Sequence, residues 1–509
     1  MCGIAGIFEK NTVIDRTQRV SIVQRMLSAI SHRGFPSLNK IYSAESFSIG
    51  CVRLPIVDEI NGIQPMFSES GRIVLVLNGE IYNYETLKSE YLVGKKFKTA
   101  SDSEVLANLL ETYDIETTLS LLEGMFAFIA IDLFSERYYF ARDQIGIKPL
   151  YFSYNKQVVF VASEIKTFIK DLDAISELLP QHYYDSKSGI KKWDKVVSEK
   201  ANNLRHIITK SVREQVNTTL PIAVFLSGGI DSSIVCYEAN QYHSNVTAFT
   251  IGKKDSNDMI NATKLCEEFD FNFEPIFINE DEVLNYIEDT IFSIESFEPN
   301  HIRAGTLSYL LSKHVSSKGY IIALCGEGAD ELFAGYPEFI KLLEQTNNDY
   351  AKLNSLLSTF VNELYLTQLR RIDRTGMSFG LEVRPPFLSS KIISYSKALL
   401  PQEKLPIKNG RYITKFPLRE AYKDVLPSYI VNSAKSVFSE GAGFDSNGYK
   451  GPFWEFTKNK ISESKIRKIQ DEYPEYSLKT HEEAYYFKIY MKYFDVKQLT
   501  PNRPNMSAL

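Results

Sequence analysis

The sequence predicts a sheet-dominated α+β first half joined to an α/β second half built on a parallel sheet. Three observations carry that prediction. Short runs of branched and aromatic residues (Ile73 to Leu77, Met125 to Ile131, Tyr138 to Ala141, Val158 to Val161) recur before residue 165, with two helical stretches among them. Between Asp171 and Lys200 the pattern loosens into polar and charged residues around Ser186-Lys187-Ser188-Gly189, the composition of a linker. A boundary near 190 follows, giving domains 2–190 and 191–509. Beyond it, helix-like and strand-like stretches alternate, the order of a parallel sheet flanked by helices.

Asn61-Gly62, Asn78-Gly79 and Ile147-Lys148-Pro149 read as turns that punctuate the strands of the first half. In the second half the order is a helix to Val216, strand Ile222 to Leu226, a helix from Ser232, strand Val246 to Ile251, a helix to Phe269, strand Phe273 to Ile278, then strand Tyr320 to Leu324. A doubly wound sheet binds ligands beyond the carboxyl ends of its strands, so the loops after Leu226, Ile251 and Leu324 are expected to converge. From about Ala351 the chain reads as helices with Pro-rich connections.

Composition sets bounds on function. At 509 residues the chain is long enough for roughly two to four domains. Its 58 Lys+Arg against 63 Asp+Glu leave a formal charge of -5, which lacks the basic footprint of a nucleic-acid binder. The longest apolar stretch, Met125 to Ile131, is far short of the roughly 20 residues that cross a bilayer, and MCGIAGIFEK has no signal-peptide pattern. Five cysteines (Cys2, Cys51, Cys236, Cys266, Cys325) form no CxxC pair and make an odd total. Reduced thiols in a cytoplasmic protein are expected.

Removal of Met1 would put a thiol and a free α-amino group on Cys2. An amine of pKa about 7.7 to 8.0 suits the role of base to that thiol. Thiolate attack on an amide carbonyl releases ammonia and leaves a thioester for water. The oxyanion formed on the way needs donors, and Asn78-Gly79 offers a side-chain amide beside an unobstructed backbone N–H. The competing reading is a merely buried thiol and a hairpin turn.

At Phe225-Leu226-Ser227-Gly228-Gly229-Ile230-Asp231-Ser232-Ser233 a strand runs into small residues and then a helix, so backbone N–H groups face an anion. Asp231 would repel phosphate unless a cation lay between them, which implies Mg2+. Leu324-Cys325-Gly326-Glu327-Gly328-Ala329-Asp330-Glu331 repeats the logic of strand, glycine loop and carboxylates. Asp231 and Asp330 are then candidate metal ligands, and Glu327 a candidate to position ammonia or accept its proton. The competing readings are a serine-capped turn at the first loop and an acidic helix start at the second.

MCGIAGIF, Arg53-Leu54-Pro55-Ile56-Val57-Asp58, Asn78-Gly79-Glu80-Ile81-Tyr82-Asn83, Ser101-Asp102-Ser103-Glu104 and Gly124-Met125-Phe126-Ala127-Phe128 resemble, in that order, the N-terminal-nucleophile glutaminase domain of class II amidotransferases. The resemblance implies an αββα sandwich with Cys2 as nucleophile and Asn78 and Gly79 as oxyanion hole. It further implies that Arg53, Ile56, Asn78, Glu80 and Asp102 bind glutamine. SGGxDS resembles the pyrophosphate loop of ATP pyrophosphatases, for which Leu226, Ser227, Gly228, Gly229, Asp231, Ser232, Ser233, Ile251, Cys325 and Gly326 are the implied ATP contacts.

The run Ile302-Arg303-Ala304, Thr306, GEGADELFAGY, Asp373-Arg374, Gly380 to Leu388 and Lys435 to Gly441 narrows the resemblance to glutamine-hydrolysing asparagine synthetases over nearly the whole chain. It implies Lys435 against ATP phosphates, ATP and Mg2+ as cofactors, an internal ammonia channel, and a homodimer. The implied reaction amidates aspartate through β-aspartyl-AMP. Phe35-Pro36-Ser37 after His32-Arg33-Gly34, and Cys325, Ala329, Pro385 and Ser389, depart from the family pattern. They leave room for a second reading, amidation of a sugar acid or a natural-product precursor.

Overall fold

The computed structural model describes residues 2–10, 13–154, 157–168, 174–195, 203–435, 437–444 and 451–495. The chain divides into two compact units, one of Met1–Val196, Met377–Gly380 and Tyr493–Thr500, the other of Val197–Gly376, Leu381–Lys492 and Pro501–Leu509.

The strands of the first unit are β1 (Cys2–Glu9), β2 (Lys40–Ser43), β3 (Phe47–Arg53), β4 (Met66–Phe67), β5 (Ile73–Ile81), β6 (Gly124–Asp132), β7 (Arg137–Arg142), β8 (Tyr151–Tyr154), β9 (Val158–Ala162), β10 (Ser176–Glu177), β11 (His182–Asp185) and β12 (Gly189–Lys192). They form two six-stranded antiparallel sheets, ordered β10-β8-β9-β1-β3-β2 and β12-β11-β7-β6-β5-β4. Side chains alternate across a strand, so each sheet has two apolar faces to cover. On β1, Ile4 and Phe8 pack with Val74, Val76, Ile129 and Ile131 of the other sheet, while Ala5 and Ile7 pack under Val23, Met26 and Leu27 of helix Arg16–Ala29. On β5, Leu75 and Leu77 turn the other way, against Val105, Leu106 and Leu109 of helix Asp102–Thr112. The result is the αββα sandwich implied by the resemblance. Each fully buried aliphatic side chain contributes about 1.5–3 kcal/mol, which is why β1 is buried from end to end.

Three details differ from the sequence reading. Asn78-Gly79 is not a turn: β5 continues to Ile81, with Asn78 opposite Ala127 and Gly79 opposite Phe126. Gly79 has φ 144°, and a Cβ there would overlap Met125 O and lie 2.7 Å from Phe126 Cα. The glycine serves a close approach of two strands, which the dipeptide alone does not distinguish from a hairpin. Ser186 to Gly189 is not a linker but the tight turn of the β11–β12 hairpin, held by Lys187 N–H on Asp185 Oδ1 at 3.0 Å. Residues 171–173 and 196–200 of the expected linker lie outside the described residues. Four α-helices of this unit, Arg16–Ala29, Tyr84–Tyr91, Asp102–Thr112 and Ile115–Leu121, stand where two were read.

The second unit is built on β13 (Ile222–Phe225), β14 (Val246–Gly252), β15 (Phe273–Phe277), β16 (Ile322–Leu324) and β17 (Glu382–Arg384), all parallel in the order β15-β14-β13-β16-β17. It is the parallel α/β arrangement that the alternation of elements predicts. β13 is central because the chain first winds outward through β14 and β15, then returns to its other side with β16. The direction of winding reverses between β13 and β16, the point where such sheets bind ligands. β17 was read as part of a helical region; at three residues it is too short for a period-2 pattern to register. Among the described residues, no helix is long and apolar enough to cross a membrane.

Gly79→Ala is expected to destabilise the first unit by about 1–3 kcal/mol, since it combines a disfavoured φ with a clash inside a paired strand. Thermal melting against wild type checks this.

Candidate active sites

In the first unit, antiparallel pairing sets Cys2 opposite Arg53. The backbone N of Cys2 donates to Asn78 Oδ1 at 3.3 Å, which orients the Asn78 amide. Its Nδ2 is buried without an acceptor. A buried amide donor without a partner costs about 1–3 kcal/mol, so its retention beside a thiol is the mark of a site for a transient acceptor. Arg33, from the 3-10 turn Ser31–Arg33, donates through Nε to Cys2 O at 3.1 Å and through Nη1 to Glu164 at 2.6 Å. Behind Cys2, then, lies a neutralised charge pair that fixes its backbone.

The remaining expected residues gather along β3 and β5. Arg53 donates to Glu59 O at 2.7 Å and to Asp58 O at 2.5 Å, shaping the loop after β3. Ile56 is buried in that loop. Glu80 follows Gly79 on β5, and Asp102, at the start of its helix, accepts from Ile81 N at 2.9 Å.

The thiol is tuned by these neighbours. Cys2 is 4% exposed, and its pKa falls from the ordinary cysteine value to about 7. A hydrogen bond from the Cys51 thiol is the chief cause; the positive amino terminus, a backbone bond at Leu54 and the Arg53 guanidinium add to it against the cost of burial. Cys51 moves the opposite way, pushed well up by burial and by Cys2 itself. Of the two thiols, Cys2 is therefore the one that ionises first.

In the second unit the loops after β13, β14 and β16 converge. Ser227, Gly228, Gly229 and Asp231 line a cavity of about 260 Å3 together with Asp258 and Lys435. Ser232 Oγ accepts from Ser227 N at 3.1 Å, closing the loop onto the start of helix Ile230–Tyr242. Gly228, at φ 71°, allows the loop to meet Asn261, and Gly326 allows the β16 loop to meet Asp231, where a Cβ would sit 2.9 Å from the Asp231 Cβ. Leu226, Ile251 and Cys325 are buried at the strand ends, and Ser233 Oγ is buried without a partner.

A lysine that sequence reading passed over organises the charges. Lys415 lies 2.5 Å from Asp231 Oδ2 and 2.6 Å from Asp330 Oδ1, and Lys435 lies 2.7 Å from Asp330 Oδ2. Burial raises the Asp330 carboxyl, but Lys415 and Lys435 overcome it and hold the pKa at about 2. Burial prevails at Asp231, which is raised. Asp258, also missed, is pushed up to about 7 by burial, with Lys435 opposing. Asp231 Oδ1 is buried without a donor, a fit for a cation bridging to phosphate; Mg2+ uses one or two carboxylates and completes its shell with phosphate oxygens and water. Glu327 is ion-paired with Arg371. Ser436, beside Lys435, lies outside the described residues. Lys415 had no signal in the sequence, because lysine is ordinarily a surface residue and its partner Asp231 is 184 positions away.

Two candidate sites therefore define a two-part architecture, a buried thiol with an amide donor in one unit and a Ser-Gly loop with paired carboxylates in the other. Family models cover both: residues 1–212 match the glutamine amidotransferase domain, and residues 203–351 and 341–488 match asparagine synthase. The chain belongs to the asparagine synthase family. It is similar to asparagine synthetase [glutamine-hydrolyzing] 2 of Oryza sativa subsp. japonica, at 31% identity over 100% of this chain and 88% of the relative. The asparagine synthetase [glutamine-hydrolyzing] of Zea mays is 30% identical over 96% of this chain and 85% of its own. Asparagine synthetase B [glutamine-hydrolyzing] of Escherichia coli (strain K12) is 30% identical over 96% and 90%.

Alkylation of Cys2 by iodoacetamide, followed by peptide mass, should rise with pH around a midpoint near 7 instead of the ordinary cysteine range. Gly335→Ala should selectively impair the second site, because a Cβ there would overlap Asp330 Oδ1 and Lys415 Cε. The expected outcome is loss of ATP-dependent pyrophosphate release with glutamine hydrolysis retained, read by parallel assays.

Proposed function

We propose that this protein makes asparagine from aspartate, using ammonia freed from glutamine in the first unit and ATP bound in the second. The observation that carries the proposal is the depressed Cys2 thiol beside the acceptor-less Nδ2 of Asn78, in a chain whose second unit holds a carboxylate-lined phosphate cavity. The named relatives are glutamine-hydrolysing asparagine synthetases matched along their length, which supports the same pairing of activities here.

At the first site, with Met1 removed, the α-amine of Cys2 takes the thiol proton and the sulfur attacks the glutamine carboxamide carbon. The oxyanion accepts from Asn78 Nδ2 and Gly79 N–H. Collapse breaks the C–N bond, the leaving nitrogen takes the proton back, and ammonia departs. Water then cleaves the thioester to glutamate. Arg53 suits the planar carboxylate of glutamine, Glu80 and Asp102 its ammonium, and Ile56 the stem. Loss of one oxyanion donor typically costs about 10²–10³ in kcat.

At the second site the loop Ser227 to Ser233 holds phosphate by backbone and hydroxyl donors, with Leu226, Ile251, Cys325 and Gly326 bounding the nucleotide. Mg2+ would be held by Asp231 and Asp330 and would neutralise charge on the pyrophosphate. Lys435 and Lys415 add positive charge at the same carboxylates. The aspartate β-carboxylate displaces pyrophosphate from the α-phosphorus, giving β-aspartyl-AMP. Ammonia attacks the acyl carbon, Glu327 accepts a proton, and AMP leaves. Amidation of a different carboxylate is the second reading, favoured by Cys325, Ala329, Pro385 and Ser389, which depart from the family pattern.

Cys2→Ala should abolish glutamine-driven synthesis and keep ammonia-driven synthesis, whereas Asp330→Asn should abolish both. Pyrophosphate release measured with ATP, Mg2+, glutamine and a panel of acids tests the acceptor. Release with another acid and none with aspartate would overturn the assignment to asparagine.

A further inference from the structure

Gln64 lies in the loop between β3 and β4 and is 5% exposed. The mechanism above gives it no task. Its amide lies along the backbone of Leu77: Leu77 N donates to Oε1 at 2.5 Å, and Nε2 donates to Leu77 O at 3.1 Å. A side chain thus reproduces the paired bonds of a neighbouring strand. Nε2 carries a second proton, and it donates to Cys2 Sγ at 3.7 Å, within the range for sulfur acceptors. Leu77 immediately precedes Asn78 on β5, so the group that touches the nucleophile is anchored on the strand that carries the oxyanion donor.

We infer that Gln64 is a positioning residue for the nucleophile: its amide N–H stabilises the ionised Cys2 sulfur and holds it in register with Asn78. The inference rests on the proposed role of Cys2. A donor aimed at sulfur favours the thiolate over the thiol, and the effect is strongest where water is excluded. The other groups facing the sulfur and its backbone are Cys51 and Arg53 on β3, the amino terminus, and Arg33, whose charge is balanced by Glu164. Cys51 and the amino terminus can themselves lose a proton as pH rises, and donate less for it. Gln64 keeps the same charge throughout, so it supplies a pH-independent share of the thiolate's stability. Its two bonds to Leu77 also prevent the amide from rotating its carbonyl toward sulfur, which would repel the charge it is placed to hold.

The test uses the full-length enzyme with Gln64→Met, which keeps the length and removes the donor, and Gln64→Glu, whose carboxylate still accepts from Leu77 N–H but brings a negative charge to the sulfur. Iodoacetamide labelling of Cys2, read by peptide mass across pH, should be about fivefold slower at pH 7 in Gln64→Met, with the midpoint about one unit higher. In Gln64→Glu the midpoint should move up further. Glutamine-driven kcat should fall with the labelling rate while ammonia-driven synthesis stays at the wild-type rate, which reports on folding. A purely structural clamp would slow labelling at every pH in both variants and leave the midpoint at its wild-type position, a result that would also overturn the inference. Labelling profiles of both variants that superimpose on wild type would overturn the inference. Retention of glutaminase activity by Cys2→Ala would instead overturn the role of Cys2, a separate result from the labelling profiles.

Discussion

The second unit depends on one buried ammonium. Lys415 reaches Asp231, in the first turn of helix Ile230–Tyr242 after β13, and Asp330, in the first turn of helix Ala329–Phe333 after β16, so a single side chain ties together the two connections that flank the reversal of the sheet. Two carboxylates that share one ammonium repel each other, and burial strengthens the repulsion. Removing one partner from such a buried arrangement typically costs about 3–5 kcal/mol, because the charge left behind has no solvent. The local backbone is shaped to permit it: Gly335 has no Cβ where Asp330 and Lys415 need the space, and Gly326 has none where Asp231 does. The site is therefore assembled from charges that are far apart in the chain and glycines that let them meet.

The first unit reaches its precision by a different route. What positions Cys2 is the ladder of β1 against β3 and the bond from Cys2 to Asn78 on the facing sheet. The inner faces of both sheets meet in one apolar cluster that includes Cys2 and Cys51. In such surroundings each polar contact is strengthened by the low dielectric, so a neutral thiol on an adjacent strand leads the amino terminus, a backbone bond at Leu54 and Arg53 in lowering the nucleophile's pKa.

Much of this was legible in the sequence because its signals are local. SGGxDS between a strand and a helix, and GEGADE after another, mark small-residue loops at strand ends whatever surrounds them, and alternating elements announce the parallel sheet. Asn78-Gly79 reads as a turn because the pair favours hairpins, and only the cross-strand partner Met125 reveals that glycine is needed for closeness instead of a turn. Ser186 to Gly189 likewise has a linker's composition and a hairpin's fold. Lys415, Asp258, Cys51 and Gln64 were illegible for a common reason. Each acts through a residue distant in the chain, and each belongs to a type that is usually unremarkable where it stands.

The order β15-β14-β13-β16-β17 has an evolutionary corollary. β13 and β16 are neighbours in the sheet, yet β14, β15 and several helices intervene between them in the chain. That excursion also carries Asp258, which lines the cavity with residues of the β13 loop, so it can change in length only where its own return to the cavity is kept.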